Sequence, residues 1–152
     1  MKRGDANPGR SGSHEDESSA ALRALRGHMD LDEVEAAVGV YRQARERLGP
    51  WSPPPRDWMD LIKAILAAGD RENAVQVMED YVNGVEAPSP RIQLKLAQLL
   101  IQSESRPAQA LRILDAIPTG SLPEPLEALR GRLRTIAQAM RDDGPPELEP
   151  LR

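Results

Sequence analysis

The sequence predicts an all-α fold of stacked helical pairs, on three observations. Trp58 and Leu94, Ala74 and Ala110, Met78 and Leu114, and Tyr81 and Ile117 each stand 36 residues apart, so one helix-turn-helix pattern is written twice in succession. A period of this size belongs to helical repeats, which usually present a binding surface rather than a catalytic pocket. The chain has no Phe, and its aromatic residues are Tyr41, Trp51, Trp58 and Tyr81. Its core must therefore rest on Leu, Ala, Ile, Val and Met, which suit helix-on-helix contact better than a sandwich or barrel. Finally, apolar residues recur every three or four positions between Pro and Gly breaks.

Length and composition bound the rest. At 152 residues and 39% hydrophobic content the chain is one domain's worth with a modest core. It has no Cys, which removes disulfides and thiolate metal sites and is compatible with a reducing compartment. Nothing near 18 consecutive apolar residues occurs, and the start lacks the basic and apolar parts of a secretory leader. The expectation is a cytoplasmic protein without membrane insertion. Its 17 Arg against 3 Lys, with much Ala and Pro, reads as the codon usage of a GC-rich genome.

Three regions follow along the chain. Residues 1–16 are Gly, Ser, Asn and charge, too poor in apolar surface to offset ordering entropy, and predict a disordered tail. Residues 17–141 carry the helical pattern. Residues 142–152, with Gly144, Pro145, Pro146 and Pro150, predict a second disordered, acidic tail.

Within the helical region the first element spans about 18–27, with Ala21, Leu22 and Leu25 as its stripe and Gly27 at its end. Asp30 then reads as an N-cap with Glu33 as capping-box partner, opening a helix to Leu48 that carries Val34, Ala37, Val38, Tyr41, Ala44 and Leu48 on one face. Gly49 and Pro50 end it. Pro53, Pro54 and Pro55 lead into a helix starting near Arg56 that carries Trp58, Leu61, Ile62, Ile65 and Leu66. Gly69 fits the C′ position of that helix and Asp70 the N-cap of the next, so the two should fold back as a hairpin. The partner helix, about 71–85, carries Ala74, Val75, Met78, Tyr81 and Val82.

After Pro88 the unit repeats. Ser89 caps and Pro90 starts a helix with Ile92, Leu94, Leu96, Ala97, Leu99, Leu100 and Ile101. A turn at 103–105 leads to a helix with Pro107 in its first turn, then Ala110, Leu111, Ile113, Leu114 and Ile117. The last helix, about 123–141, sets Leu126, Leu129, Leu133, Ile136, Ala137 and Met140 on one face and polar residues elsewhere, as the end of a stack requires. It reads as a capping helix.

These residues resemble the tetratricopeptide repeat family, over about 18–141. That family has a bulky residue early in the first helix of each pair, a small one where the helices cross, then a large and a small one in the second. Trp58, Ala74 and Met78 match, as do Leu94, Ala110 and Leu114 more loosely; Ala37, Tyr41 and Ala44 match the second helix of a first, degenerate copy. Ala at the crossing lets the helix axes approach closely. The chain departs from the pattern where Ile62 and Ile65 replace a Gly and a Tyr, where Tyr81 and Ile117 are large, and in a period longer than the usual ~34 residues. The resemblance implies a short right-handed α-solenoid of antiparallel helix hairpins with a C-terminal cap. An antiparallel bundle with Ala-rich crossings is the alternative. The segment 91–117 is also similar to helical-repeat tails of some bacterial rhomboid-type membrane proteins, which hints at a bacterial origin.

The resemblance further implies that the first helix of each pair lines a concave groove. Aligning the copies puts Leu22, Arg23, Arg26 and Met29, then Arg56, Met59, Asp60, Lys63 and Leu66, then Lys95, Leu96, Leu99 and Gln102 along it, apolar with basic points. Such a groove suits an extended or helical partner segment that buries aliphatic side chains and carries some acid. The alternative is that Leu22, Leu96 and Leu99 are ordinary core and the cations a solvated rim. Some family members clamp a terminal carboxylate with Lys and Asn; Asp60, Ile92 and Leu96 stand where that clamp needs Asn or a base, which argues against it.

Other function classes fare less well. Residues 15–85 hold 8 basic and 14 acidic side chains and residues 86–141 hold 8 and 5, an asymmetry that admits weak head-to-tail self-association. Arg130, Arg132, Arg134 and Arg141 crowd the last helix, but it has no aromatic and the chain carries net charge −4, so nucleic acid is disfavoured. The only histidines are His14 and His28, and no phosphate loop or nucleophile motif occurs, so neither catalysis nor a cofactor or metal is expected. Asp30, Asp32, Glu33 and Glu35 read as complements to a helix dipole, and Trp58 as core. The expected function is a non-catalytic adaptor that holds a protein or peptide. A helical accessory subunit that oligomerises or binds through its convex face is the alternative.

Overall fold

The structure, a computed structural model, describes residues 9–144. Seven helices and no strand are found among them: α1 (Gly9–Asp30), α2 (Val34–Leu48), α3 (Pro55–Ala67), α4 (Arg71–Gly84), α5 (Pro90–Gln102), α6 (Pro107–Ala116) and α7 (Glu124–Asp143). The all-α class stands, and within each compact unit successive helices pack on one another. The chain divides into two compact units, one ending at Asp70 and the other beginning at Arg71.

In the first unit α1 packs on α2 and α2 on α3. Its core joins Leu25, Ala37, Tyr41 and Ala44 to Trp51, Trp58, Leu61, Ile62 and Ile65. The Tyr41 ring lies between those of Trp51 and Trp58, tilted to each at centroid distances of 6.2 and 6.3 Å, within the favoured range for aromatic pairs. Polar ties complete the unit. Trp51 Nε1 donates to Ser18 Oγ at 2.9 Å and Arg45 Nη1 donates to the Trp51 carbonyl at 2.7 Å, pinning the Pro-rich connection between α2 and α3 to α1 and α2.

Two boundaries in this unit differ from the sequence expectation. The first helix starts at Gly9, so residues 9–16, expected as tail, are helical; residues 1–8 lie outside the described residues. It also passes through Gly27 and ends at Asp30, which is thus the last residue of α1 and not the cap of α2. The stop is made by Asp32 at φ +60°, with Glu33 N–H donating to the His28 carbonyl at 2.8 Å and Asp32 N–H to the Met29 carbonyl at 3.0 Å. That is a Schellman closure with Asp in the left-handed position usually held by Gly. Glu33 makes no cap bond; its Oε1 pairs with His28 Nδ1 at 2.7 Å instead. By contrast α3 ends as expected, with Gly69 at φ +78°, its N–H on the Leu66 carbonyl and Asp70 N–H on the Ile65 carbonyl.

In the second unit α5 packs against α4, α6 and α7, and α6 also packs against α7. Being surrounded, α5 is buried almost all round: Ile92, Gln93, Leu94, Leu96, Ala97, Leu99, Leu100 and Ile101 are all inside. Ser89 caps it as expected, its side chain accepting from Ile92 N–H at 3.4 Å. Tyr81 Oη accepts from Ser89 N–H at 2.8 Å, so the ring that is oversized for the repeat pattern fastens the entry of α5 to α4. On α7 the buried stripe centres on Leu133 and Ala137, and Ile136 is 48% exposed rather than part of the packed face. The helix is turned so that Arg130 borders the seam, where its Nη1 donates to the Ile117 carbonyl at 3.2 Å. The helix runs through Asp143, two residues into the expected C-terminal tail, and residues 145–152 lie outside the described residues.

Candidate interaction surfaces

The expected groove residues have different fates in the two units. In the first, Leu22 and Met29 on α1 and Met59 and Leu66 on α3 are half-buried, while Arg23, Arg26, Arg56 and Lys63 are exposed. Leu22, Arg26 and Met29 recur at four and three residues, and Arg56, Met59, Lys63 and Leu66 at three, four and three, so each set shares one helix face. The faces are tied together by Arg26, whose Nε and Nη2 donate to the two carboxylate oxygens of Asp57, each at 2.9 Å. This fork holds the Asp57 carboxyl below the usual carboxylate range, against its partial burial, and raises the Arg26 guanidinium further still. Arg26 is therefore already neutralised. A recess of about 280 Å³ opens beside the pair, lined by Leu25, Arg26, Met29, Asp30, Asp57 and Asp60. Around Arg26 the face is thus acidic, and the basic character expected of the groove falls to Arg23, Lys63 and Arg56, whose charge also favours the Asp57 carboxylate.

In the second unit the expectation fails for two leucines. Leu96 is 0% and Leu99 5% exposed, so both are core. The cause is tertiary: α5 has neighbours on three sides, and no face of it is left as an apolar trough. Lys95 and Gln102 do reach solvent.

Sequence reasoning missed a cleft of about 640 Å³ on this unit, formed by α4, the connection to α5, α5 itself and α6. Val82, Val85, Pro88 and Ile113 give it apolar walls; Glu86 and Arg112 are exposed at its edge. Gln93 lines it, 4% exposed, and is the one buried polar residue of the core among the described residues. Its Oε1 has no hydrogen-bond partner. The neighbouring Glu79 is satisfied, its Oε2 accepting from Gln109 Nε2 at 2.6 Å and from Arg106 Nη1 at 3.4 Å. A lone Gln among Ile92, Leu94, Leu96 and Ala97 was the available signal.

The arginines of α7 are mostly engaged. Arg130 binds the Ile117 carbonyl and Glu127, Arg134 pairs with Asp115, and Arg141 with Asp142. Among the described residues no three His, Asp or Glu side chains are grouped as metal ligands, and no helix is long and apolar enough to cross a membrane. No family model, curated protein or solved structure matches the chain.

Proposed function

We propose that this chain is a non-catalytic protein-interaction module, a short right-handed α-solenoid of the tetratricopeptide kind, that takes an extended or helical partner segment on the α1/α3 face of its first unit. The observation that carries the reading is the state of Leu22, Met29, Met59 and Leu66. Four long apolar side chains stay partly open to water beside the exposed cations Arg56 and Lys63. Covering such a surface releases about 25 cal/mol for each Å² of apolar area removed from water. The two cations favour a segment with acidic residues next to its aliphatic ones and make the encounter salt-dependent. In the second unit Leu96 and Leu99 lie in the core, and of the residues expected of the groove there only Lys95 and Gln102 are exposed.

A photo-crosslinking side chain placed at Lys63 in the full-length protein tests the reading. A partner peptide joined there, and lost in Leu66→Asp and in Lys63→Glu and Arg56→Glu together while helicity is kept, is the expected result. Crosslinks unaffected by these changes would send the function to another face.

A further inference from the structure

The cleft between α4, α5 and α6 is a second place to look for a ligand, and it stands apart from the α1/α3 reading. Its distinguishing feature is Gln93. A buried carboxamide oxygen without a donor is destabilising, because folding has stripped it of water and returned nothing. Native interiors satisfy almost all such atoms, and Glu79, beside the same cleft, is satisfied twice over. An unsatisfied amide on the wall of a cleft is the pattern expected where an external donor completes the bond.

The lining narrows the chemistry. A volume of about 640 Å³ falls in the range of ligand sites. Val82, Val85 and Ile113 offer a seat for one aliphatic side chain, while Glu86 stands on the connection before α5 and Arg112 on α6. The terminal torsion of Gln is broad, so a partial turn of the carboxamide can bring Oε1 to the cleft beside Nε2. A carboxamide then meets a peptide main chain on equal terms, accepting from its N–H and donating to its C=O. We infer that this cleft binds an extended peptide segment, with an aliphatic side chain against Val82, Val85 and Ile113, a main-chain N–H on Gln93, a base facing Glu86 and an acid facing Arg112.

The test titrates the ¹⁵N-labelled full chain with the blocked tripeptides acetyl-Lys-Leu-Glu-amide and acetyl-Glu-Leu-Lys-amide, the two orders covering both chain directions. One of them is expected to shift the Val85 and Ile113 amides and the Gln93 side-chain signals to saturation. Gln93→Met keeps length and removes the amide, so it weakens that binding about tenfold and raises Tm by about 3 °C. Lys63→Glu leaves this binding unchanged, which separates the cleft from the α1/α3 face. The inference is overturned if neither peptide shifts the cleft signals or if Gln93→Met binds as well as the parent. It is equally overturned if Gln93→Met melts lower, since the amide then has structural partners, or if the same signals move with protein concentration alone, since the occupant is then a second copy.

Discussion

The first helix of the first unit and the central helix of the second are held by different means. In the first unit, α1 packs on α2, encloses one large side chain among its described residues, Leu25, and adds polar ties: Arg26 to Asp57, Arg47 to Glu17 at 2.6 Å, and Ser18 to the Trp51 indole. In the second, α5 spends eight of its residues on the interior. A helix covered mainly by one neighbour keeps apolar side chains half-open, whereas a central helix has none to spare. The first unit is therefore the better source of an apolar contact surface, and in the second the exception inside the core, Gln93, is what stands out.

The contrast can be broken most forcefully in the core of the second unit. Leu96→Ala removes a fully enclosed side chain and is expected to cost about 3 kcal/mol. Leu22→Ala, at a half-open position of α1, is expected to cost under about 1 kcal/mol. Urea unfolding of both variants compares them directly, and equal losses would erase the distinction. Next in size, Ser18→Ala keeps the Trp51 indole in place but deletes the acceptor of its N–H, for a loss of about 1 kcal/mol. Protection of the α1 amides from hydrogen exchange should fall in that variant, while protection in α5 stays as it was.

Smaller effects sharpen the comparison. Gly39 lies mid-helix in α2, and a Cβ there meets nothing within 4 Å. Gly39→Ala should stabilise the protein by roughly 0.5 to 1 kcal/mol, read as a higher Tm. The smallest change is the loss of the exposed Arg26–Asp57 tie in Asp57→Asn. Because the folded-state pKa of Asp57 is depressed, its contribution is present above the ordinary carboxylate pKa and disappears as pH falls through the folded value. The parent should therefore exceed the variant in urea midpoint at neutral pH and converge with it in strong acid. A gap that persists unchanged into acid would show that the carboxylate's charge is not its source.

Much of this architecture is legible in the residues alone, because it is written locally. Pro55, Pro90 and Pro107 mark the starts of α3, α5 and α6, Gly49 and Gly69 follow the ends of α2 and α3, and the spacing of apolar residues between them is helical. The alanines assigned to helix crossings, Ala37, Ala74 and Ala110, are fully enclosed. What escaped local reading depends on partners distant in sequence or on a rare conformation. The end of α1 rests on a non-Gly residue in the left-handed region, Asp32, which composition does not announce. Charge counts could not show that Arg26 belongs to Asp57, 31 residues away, or Arg134 to Asp115.

By itself, then, the chain of residues determined that it folds into helices and where those bounded by Pro or Gly begin or end, since backbone sterics and capping act within a few positions. Only tertiary structure decided how many sides of each helix are covered. That number separates Leu66, half-open on α3, from Leu99, enclosed on α5, although both sit in apolar stripes of similar spacing. Burial is a property of neighbours, and neither helix carries in its own residues the count of neighbours it will have.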